Sequence, residues 1–191
     1  MRLFHWPFGE LQPHTYNLIM ADPAWHFKTY SEEGEEKTPQ AQYRTMSIED
    51  IKALPVLDLA APHCVLWLWA VNPMLPQAID VLAAWGFEFK TAGTWLKTTV
   101  HGKVAFGTGY ILRSSNEPFL IGTRGKPVTS RSVRSGFVGL AREHSRKPEE
   151  AFAAAEKLMP KARRLELFSR TDRIGWDCFG DEVGKFNEVA A

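Results

Sequence analysis

Four short apolar runs limit what this chain can fold into. Tyr16–Ala21 (YNLIMA) and Cys64–Ala70 (CVLWLWA) are nearly continuous, and Glu117–Gly122 (EPFLIG) and Arg164–Phe168 (RLELF) are of similar length. Runs of this kind suit strands buried on both faces of a sheet. Segments of helical character lie between them. Ser47–Leu54 opens with Ser47 as N-cap and Asp50 three residues on, Pro73–Trp85 has helical spacing and stops at Gly86, and Pro148–Met159 starts with proline followed by acids. Strands alternating with helices predict an α/β fold, with a mostly parallel sheet covered on both faces. In such sheets ligands gather beyond the carboxyl ends of the strands. Asp22 and Ser169-Arg170 each follow such a strand, so both are expected at one rim.

Three other stretches have weaker patterns. Phe87–Lys97 reads as a strand or strand pair, and Thr98–Tyr110, with three glycines, as a flexible connection. Residues 27 to 46 read as a long mobile loop, and residues 123 to 147 as a long basic loop whose length suggests function. With 191 residues, the chain is expected to be one domain over 1–191. No apolar run approaches the roughly 20 residues of a membrane span, and Met1–Gly9 lacks the apolar core of a signal peptide. Cys64 and Cys178 are far apart and outside any metal-type pair, and the six histidines lack ligand spacing. Reduced thiols, a cytoplasmic setting and no metal are therefore expected.

The chemistry concentrates in Asp22-Pro23-Ala24-Trp25, directly after the first strand. The exocyclic amino group of adenine is conjugated with its ring, so its nitrogen is a poor nucleophile. Hydrogen-bond acceptors on that amino group push electron density back onto nitrogen. A carboxylate such as Asp22 and a rigidly held carbonyl such as that of Pro23 are suitable acceptors. Trp25 offers a face on which an extruded base could stack. A strand-ending Asp-Pro turn with a core tryptophan accounts for the same four residues equally well.

Net charge is only +1, but its distribution is uneven. Arg124, Lys126, Arg131, Arg134, Arg142, Arg146 and Lys147 are opposed in their segment by Glu143 alone. With His144 they form a candidate nucleic-acid-binding strip, to be weighed against an ordinary solvated loop.

Beyond DPAW, further ordered segments run along the chain: Tyr43–Ser47 (YRTMS), Val65–Trp69, Trp95–Lys97, Ser115–Glu117, His144–Pro148, Glu166–Arg170 and Trp176. Together, from about Tyr16 to Glu182, they resemble the MT-A70 family of adenine amino-methyltransferases. The resemblance implies a three-layer Rossmann-like fold that uses S-adenosylmethionine. Its strand order is permuted, with the catalytic turn first and the cofactor strand last. It implies that Asp22, Pro23, Ala24 and Trp25 form the catalytic turn and that Tyr43 walls the adenine pocket. Phe168, Ser169 and Arg170 would line the cofactor, with Asp22, Asn116, Asp181 and Glu182 also near it. Ala24 stands where relatives carry a second proline and Ser169 where they carry glycine; Asn116, Asp181 and Glu182 are also departures.

The implied activity is adenine methylation, with DNA favoured over RNA. A non-catalytic nucleic-acid-binding subunit of the same fold is a competing reading, and methylation of a protein glutamine amide is a third. A homodimer or a pairing with a related subunit is open, and no membrane partner is expected.

Overall fold

A computed structural model describes residues 6–26, 45–109, 111–143 and 145–187. The described residues build one sheet from β1 (Tyr16–Ala21), β2 (Ala60–Trp69), β3 (Glu88–Thr98), β4 (Asn116–Arg124), β5 (Gly136–Leu140), β6 (Arg164–Leu167) and β7 (Asp177–Phe179). Their order across the sheet is β5-β3-β4-β2-β1-β6-β7. All neighbours pair in parallel except β4, which runs antiparallel to both β2 and β3.

β1 explains its own composition. Ile19 and Ala21 face one side of the sheet, Leu18 and Met20 the other, and all four are at most 1% exposed. Burial on both sides removes the polar alternation of a half-buried strand. Helices α1 (Ile48–Ala53), α2 (Val56–Leu59) and α3 (Leu75–Ala84) lie on the first side, bringing Ile51, Val56, Val81 and Leu82 against Ile19, Leu66 and Leu68. Helix α4 (Glu149–Leu158) covers the second with Ala151, Phe152 and Ala155. Each large apolar side chain so enclosed contributes about 1.5–3 kcal/mol. The three-layer, mostly parallel arrangement is the expected one.

The helix boundaries follow local chemistry. The Asp50 amide donates to Ser47 Oγ at 3.0 Å, and Ser47 Oγ donates to the Asp50 carboxylate at 2.8 Å. α3 ends at Trp85, and Gly86 takes φ +76°, the left-handed conformation that lets the chain turn away.

Four features differ from the sequence reading. The basic loop contains a strand, because β5 pairs in parallel with β3 from Thr94↔Gly136 to Thr98↔Leu140. β7 and the one-turn helix α2 were not expected from the sequence. β3 is one strand with an irregularity between Phe89 and Thr91. Of the presumed mobile loop, residues 27–44 lie outside the described residues. No described helix is long and apolar enough to cross a membrane.

Candidate active site

The register brings the ends of three parallel strands level. Ala21 pairs with Leu68 on one side and Leu167 on the other, so Asp22, Ala70 and Phe168 emerge at one rim. β4 runs the other way, so its first residues, Asn116 and Glu117, start at that rim beside Leu96 and Trp95 of β3. The Asp22 amide donates to the Leu167 carbonyl at 3.4 Å, which ties the turn after β1 to β6.

The turn is braced on every side. The Trp25 amide donates to the Pro23 carbonyl at 2.7 Å, and the Met46 amide donates to the Ala24 carbonyl at 3.0 Å. Trp25 is 3% exposed, and its indole N–H donates to the Trp69 carbonyl at 3.1 Å. The ring expected to stack on a base is thus packed into the core, where it anchors the turn to β2. The Pro23 oxygen keeps one of its two lone pairs.

Behind the turn is a group of four charges. Lys147 Nζ lies 2.6 Å from Asp22 Oδ2 and 2.7 Å from Glu117 Oε1, and Lys97 Nζ lies 2.7 Å from Glu117 Oε2. Two carboxylates and two ammonium groups balance, which is how charges are retained away from water. Lys147 is 8% exposed and stands 5.3 Å from the Trp69 ring centroid. The Asp22 side chain keeps 23% exposure, deep-set yet reachable, and among the described residues no hydrogen bond reaches its Oδ1.

Environment separates the two acids. Burial pushes the Asp22 carboxyl above its ordinary range; Lys147 opposes this and the nearby charge of Glu117 adds to it. Burial would raise Glu117 too, but Lys147 and Lys97 together outweigh it and hold that carboxyl down to about 2. Lys147 is driven upward: burial favours loss of its proton, and Asp22 and Glu117 overcome that effect.

The end of β6 forms the other wall. Phe168 adopts φ +63°, an unusual conformation for a residue with a side chain. Ser169 is 1% exposed, and its Oγ stands 2.8 Å from Glu166 Oε2 and 2.7 Å from the Thr171 carbonyl oxygen, its single proton shared between them. The serine that stands in place of glycine therefore turns away from the cleft instead of crowding it. Glu166 sits within this wall, and burial pushes its carboxyl up to about 7. Arg170 Nε lies 2.7 Å from Glu182 Oε2, and the Arg146 and Arg170 guanidinium groups stand 5.4 Å and 4.7 Å from the Phe186 ring centroid. Asp22, Lys147, Phe168, Arg170 and Phe186 line one narrow cleft.

Not every expected residue joins this site. Asn116 is at the rim, where its Oδ1 accepts from Asn72 Nδ2 at 2.9 Å. Glu182 reaches the cleft wall through Arg170, whereas Asp181 is exposed on the adjoining turn. Tyr43 and His144 lie outside the described residues.

The basic strip is split by β5, whose five residues span roughly 17 Å. Arg124, at the far end of β4, donates to the Leu57 and Ala60 carbonyls at 2.9 Å and so caps α2. Lys126 and Arg131 are exposed near the rim opposite Asp22, and Arg134 is exposed on the strap leading into β5. Arg142 and Arg146 return to the catalytic rim, paired with Glu149 and Glu143. Lys147, expected to meet phosphates or the cofactor, pairs with Asp22 and Glu117 at this rim. Sequence reasoning missed Glu117, Lys97 and Glu166 as site residues. A charge within an otherwise apolar strand was the available signal in EPFLIG and RLELF.

Comparison with known proteins places this geometry in context. The MT-A70 family model matches residues 16–182. The chain is 30% identical over 174 residues to an N(6)-adenosine-methyltransferase MT-A70-like protein of Arabidopsis thaliana, covering 88% of this chain and 24% of that one. It is 28% identical over 194 residues to the type II methyltransferase M.MunI of Mycoplasma sp, covering 92% of this chain and 81% of that one. It is 26% identical over 191 residues to the human N(6)-adenine-specific methyltransferase METTL4, covering 92% of this chain and 39% of that one. The chain thus spans about a quarter of the plant relative's length and most of the Mycoplasma relative's.

Proposed function

The chain belongs to the MT-A70 family, and on that basis we propose that it methylates the exocyclic amino nitrogen of adenine in DNA, using S-adenosylmethionine. The observation that carries the reading is Asp22: a deep-set, partly exposed carboxylate at the end of β1 that lines the cleft, with one oxygen held by Lys147.

The residues at the rim fit that cofactor. It carries cationic groups and a carboxylate; of the charged residues that line the cleft, Asp22 would meet the former and Arg170 the latter. Phe168 and Arg170 would line it, and Glu182 and Asn116 supply polar atoms at the edges. Bound there, it supplies an electrophilic methyl group on a positively charged sulfur.

The chain's own residues do the rest. Asp22 Oδ1 accepts one hydrogen of the adenine amino group, and the remaining lone pair on the Pro23 carbonyl accepts the other. Both hydrogen bonds oppose delocalisation of the nitrogen lone pair into the ring. Lys147 fixes the orientation of Asp22, and the brace formed by Trp25 and Met46 holds the Pro23 carbonyl in place. Arg142 and Arg146, on the same rim, would meet the phosphates flanking an extruded base.

DNA is proposed ahead of RNA on the likeness to the relative named a type II methyltransferase. Transfer of labelled methyl groups to matched single-stranded DNA, duplex DNA and RNA, followed by mapping of the modified base, tests the reading. Label on adenine in RNA alone would move the substrate, and label on none of the three would remove the activity.

A further inference from the structure

A second cavity lies away from the catalytic rim and shares no lining residue with the cleft around Asp22. It occupies about 460 Å³ between the far half of the sheet and the strap of residues 125–135. That size lies within the range of small-molecule sites. Its floor is Val65, Trp67, Phe119 and Ile121, and Pro127 and Val133 of the strap contribute apolar surface above it. The Trp67 and Phe119 rings stack with centroids 4.0 Å apart and planes 21° apart, which makes the floor rigid.

The strap is held off the sheet by specific contacts. The Lys126 amide donates to His63 Nδ1 at 3.1 Å, the Ser130 amide to the Leu158 carbonyl at 2.8 Å, and the Thr94 amide to the Ser135 carbonyl at 2.8 Å. Gly125 starts the strap at φ +65°, where an added Cβ would lie 2.2 Å from the Pro62 carbonyl oxygen. A strap anchored along its length cannot collapse onto the floor to fill the space.

Lys90 and Arg134 line the cavity, and no carboxylate does. Lys90 is paired with Glu88, whereas Arg134 is exposed and has no ion-pair partner among the described residues. Thr123 and Thr129 add hydroxyl donors.

We propose that this cavity is a second ligand site, for a small organic anion with an aromatic or branched apolar body and a carboxylate or sulfonate head. The body enters the apolar space over Trp67 and Phe119, and the head meets Arg134 at the mouth. This assignment is independent of the methyltransferase reading.

Anilinonaphthalene sulfonate, an aryl sulfonate that brightens in apolar surroundings, is the probe. Titrated into the full chain, it should give saturable one-to-one binding that saturating S-adenosylhomocysteine does not displace. Arg134→Glu, a surface change that spares the core, should weaken binding about tenfold, as loss of a charge-assisted contact does. Thr123→Phe should fill the cavity and remove the signal, with thermal melting to confirm that the variant folds. Absence of saturable binding, displacement by S-adenosylhomocysteine, or an affinity that Arg134→Glu leaves unchanged would each overturn the proposal.

Discussion

Lys147 reaches across 125 residues of sequence to place its ammonium group 2.6 Å from Asp22 Oδ2, while Glu117 holds the same ammonium group from the other side at 2.7 Å. The two partners are therefore unequal in what their removal does. Asp22→Ala leaves Lys147 still paired with Glu117, which it shares with Lys97, so the fold should survive while methyl transfer drops by at least about a hundredfold. Lys147→Met leaves both Asp22 and Glu117 without that cation, and should cost about 3–5 kcal/mol of stability. Urea unfolding of both variants, beside single-turnover methylation by Asp22→Ala, checks the contrast. Full activity in Asp22→Ala would refute the catalytic role.

The acceptor role requires Asp22 to be ionised, and burial raises the pH at which that happens. The acid limb of kcat/KM should therefore lie above the ordinary carboxylate range, with activity rising as pH rises through it. Lys147 is the main influence holding this carboxyl down. In Lys147→Gln the limb should move further up in pH, a change that simple loss of cofactor affinity does not produce. A pH–rate profile of each protein reads this directly, and coincident limbs would separate Asp22 from the limb.

Much of the fold was legible because burial leaves a mark on sequence. β1 and β2 are enclosed on both faces, which permits only continuous apolar runs, and Ser47 and Gly86 mark helix ends by local chemistry. β5 left no such mark: it lies at the sheet edge, contains Gly136 and Gly139, and is largely exposed. Missing it made one basic strip out of residues that face different rims. The turn at Asp22 and Pro23 was readable as a strand-end feature because both residues adjoin β1. Its support was not, since Glu117 and Lys147 become neighbours only when β4 and the start of α4 reach the same rim. Trp25 shows the same limit, because sequence cannot separate a stacking ring from an anchoring one.

Glu166 carries a stability cost that depends on pH. Burial lifts its carboxyl from an ordinary value of 4.5 to about 7. Between those values the folded chain holds a proton that the unfolded chain has released, so stability falls as pH rises through this window. The full penalty, about 3 kcal/mol, is felt above pH 7 or so. Glu166→Gln keeps an acceptor for Ser169 and removes the ionisation. It should be more stable than the parent at pH 8 and nearly equal to it at pH 4.5. Denaturant melts at the two pH values measure this, and equal gains at both would mean that titration of Glu166 is not the cause.

The division of the basic strip makes a prediction about salt. Arg142 and Arg146 stand on the rim with Asp22, whereas Lys126 and Arg131 project near the opposite one. Each phosphate contact releases counterions and adds about 0.9 to the slope of log affinity against log salt on duplex DNA. Arg142→Ala with Arg146→Ala should therefore weaken binding and lower that slope by about two. Their pairing with Glu149 and Glu143 does not prevent this, because both acids are about half exposed and ion pairs with surface acids are weak enough to exchange for a phosphate. Lys126→Ala with Arg131→Ala should leave the slope unchanged, since a base held at Asp22 keeps its flanking phosphates on the other rim. Fluorescence anisotropy with a labelled duplex across a salt series distinguishes the pairs. A slope that falls for Lys126 and Arg131 instead would mean that the nucleic acid wraps onto the far side of the sheet.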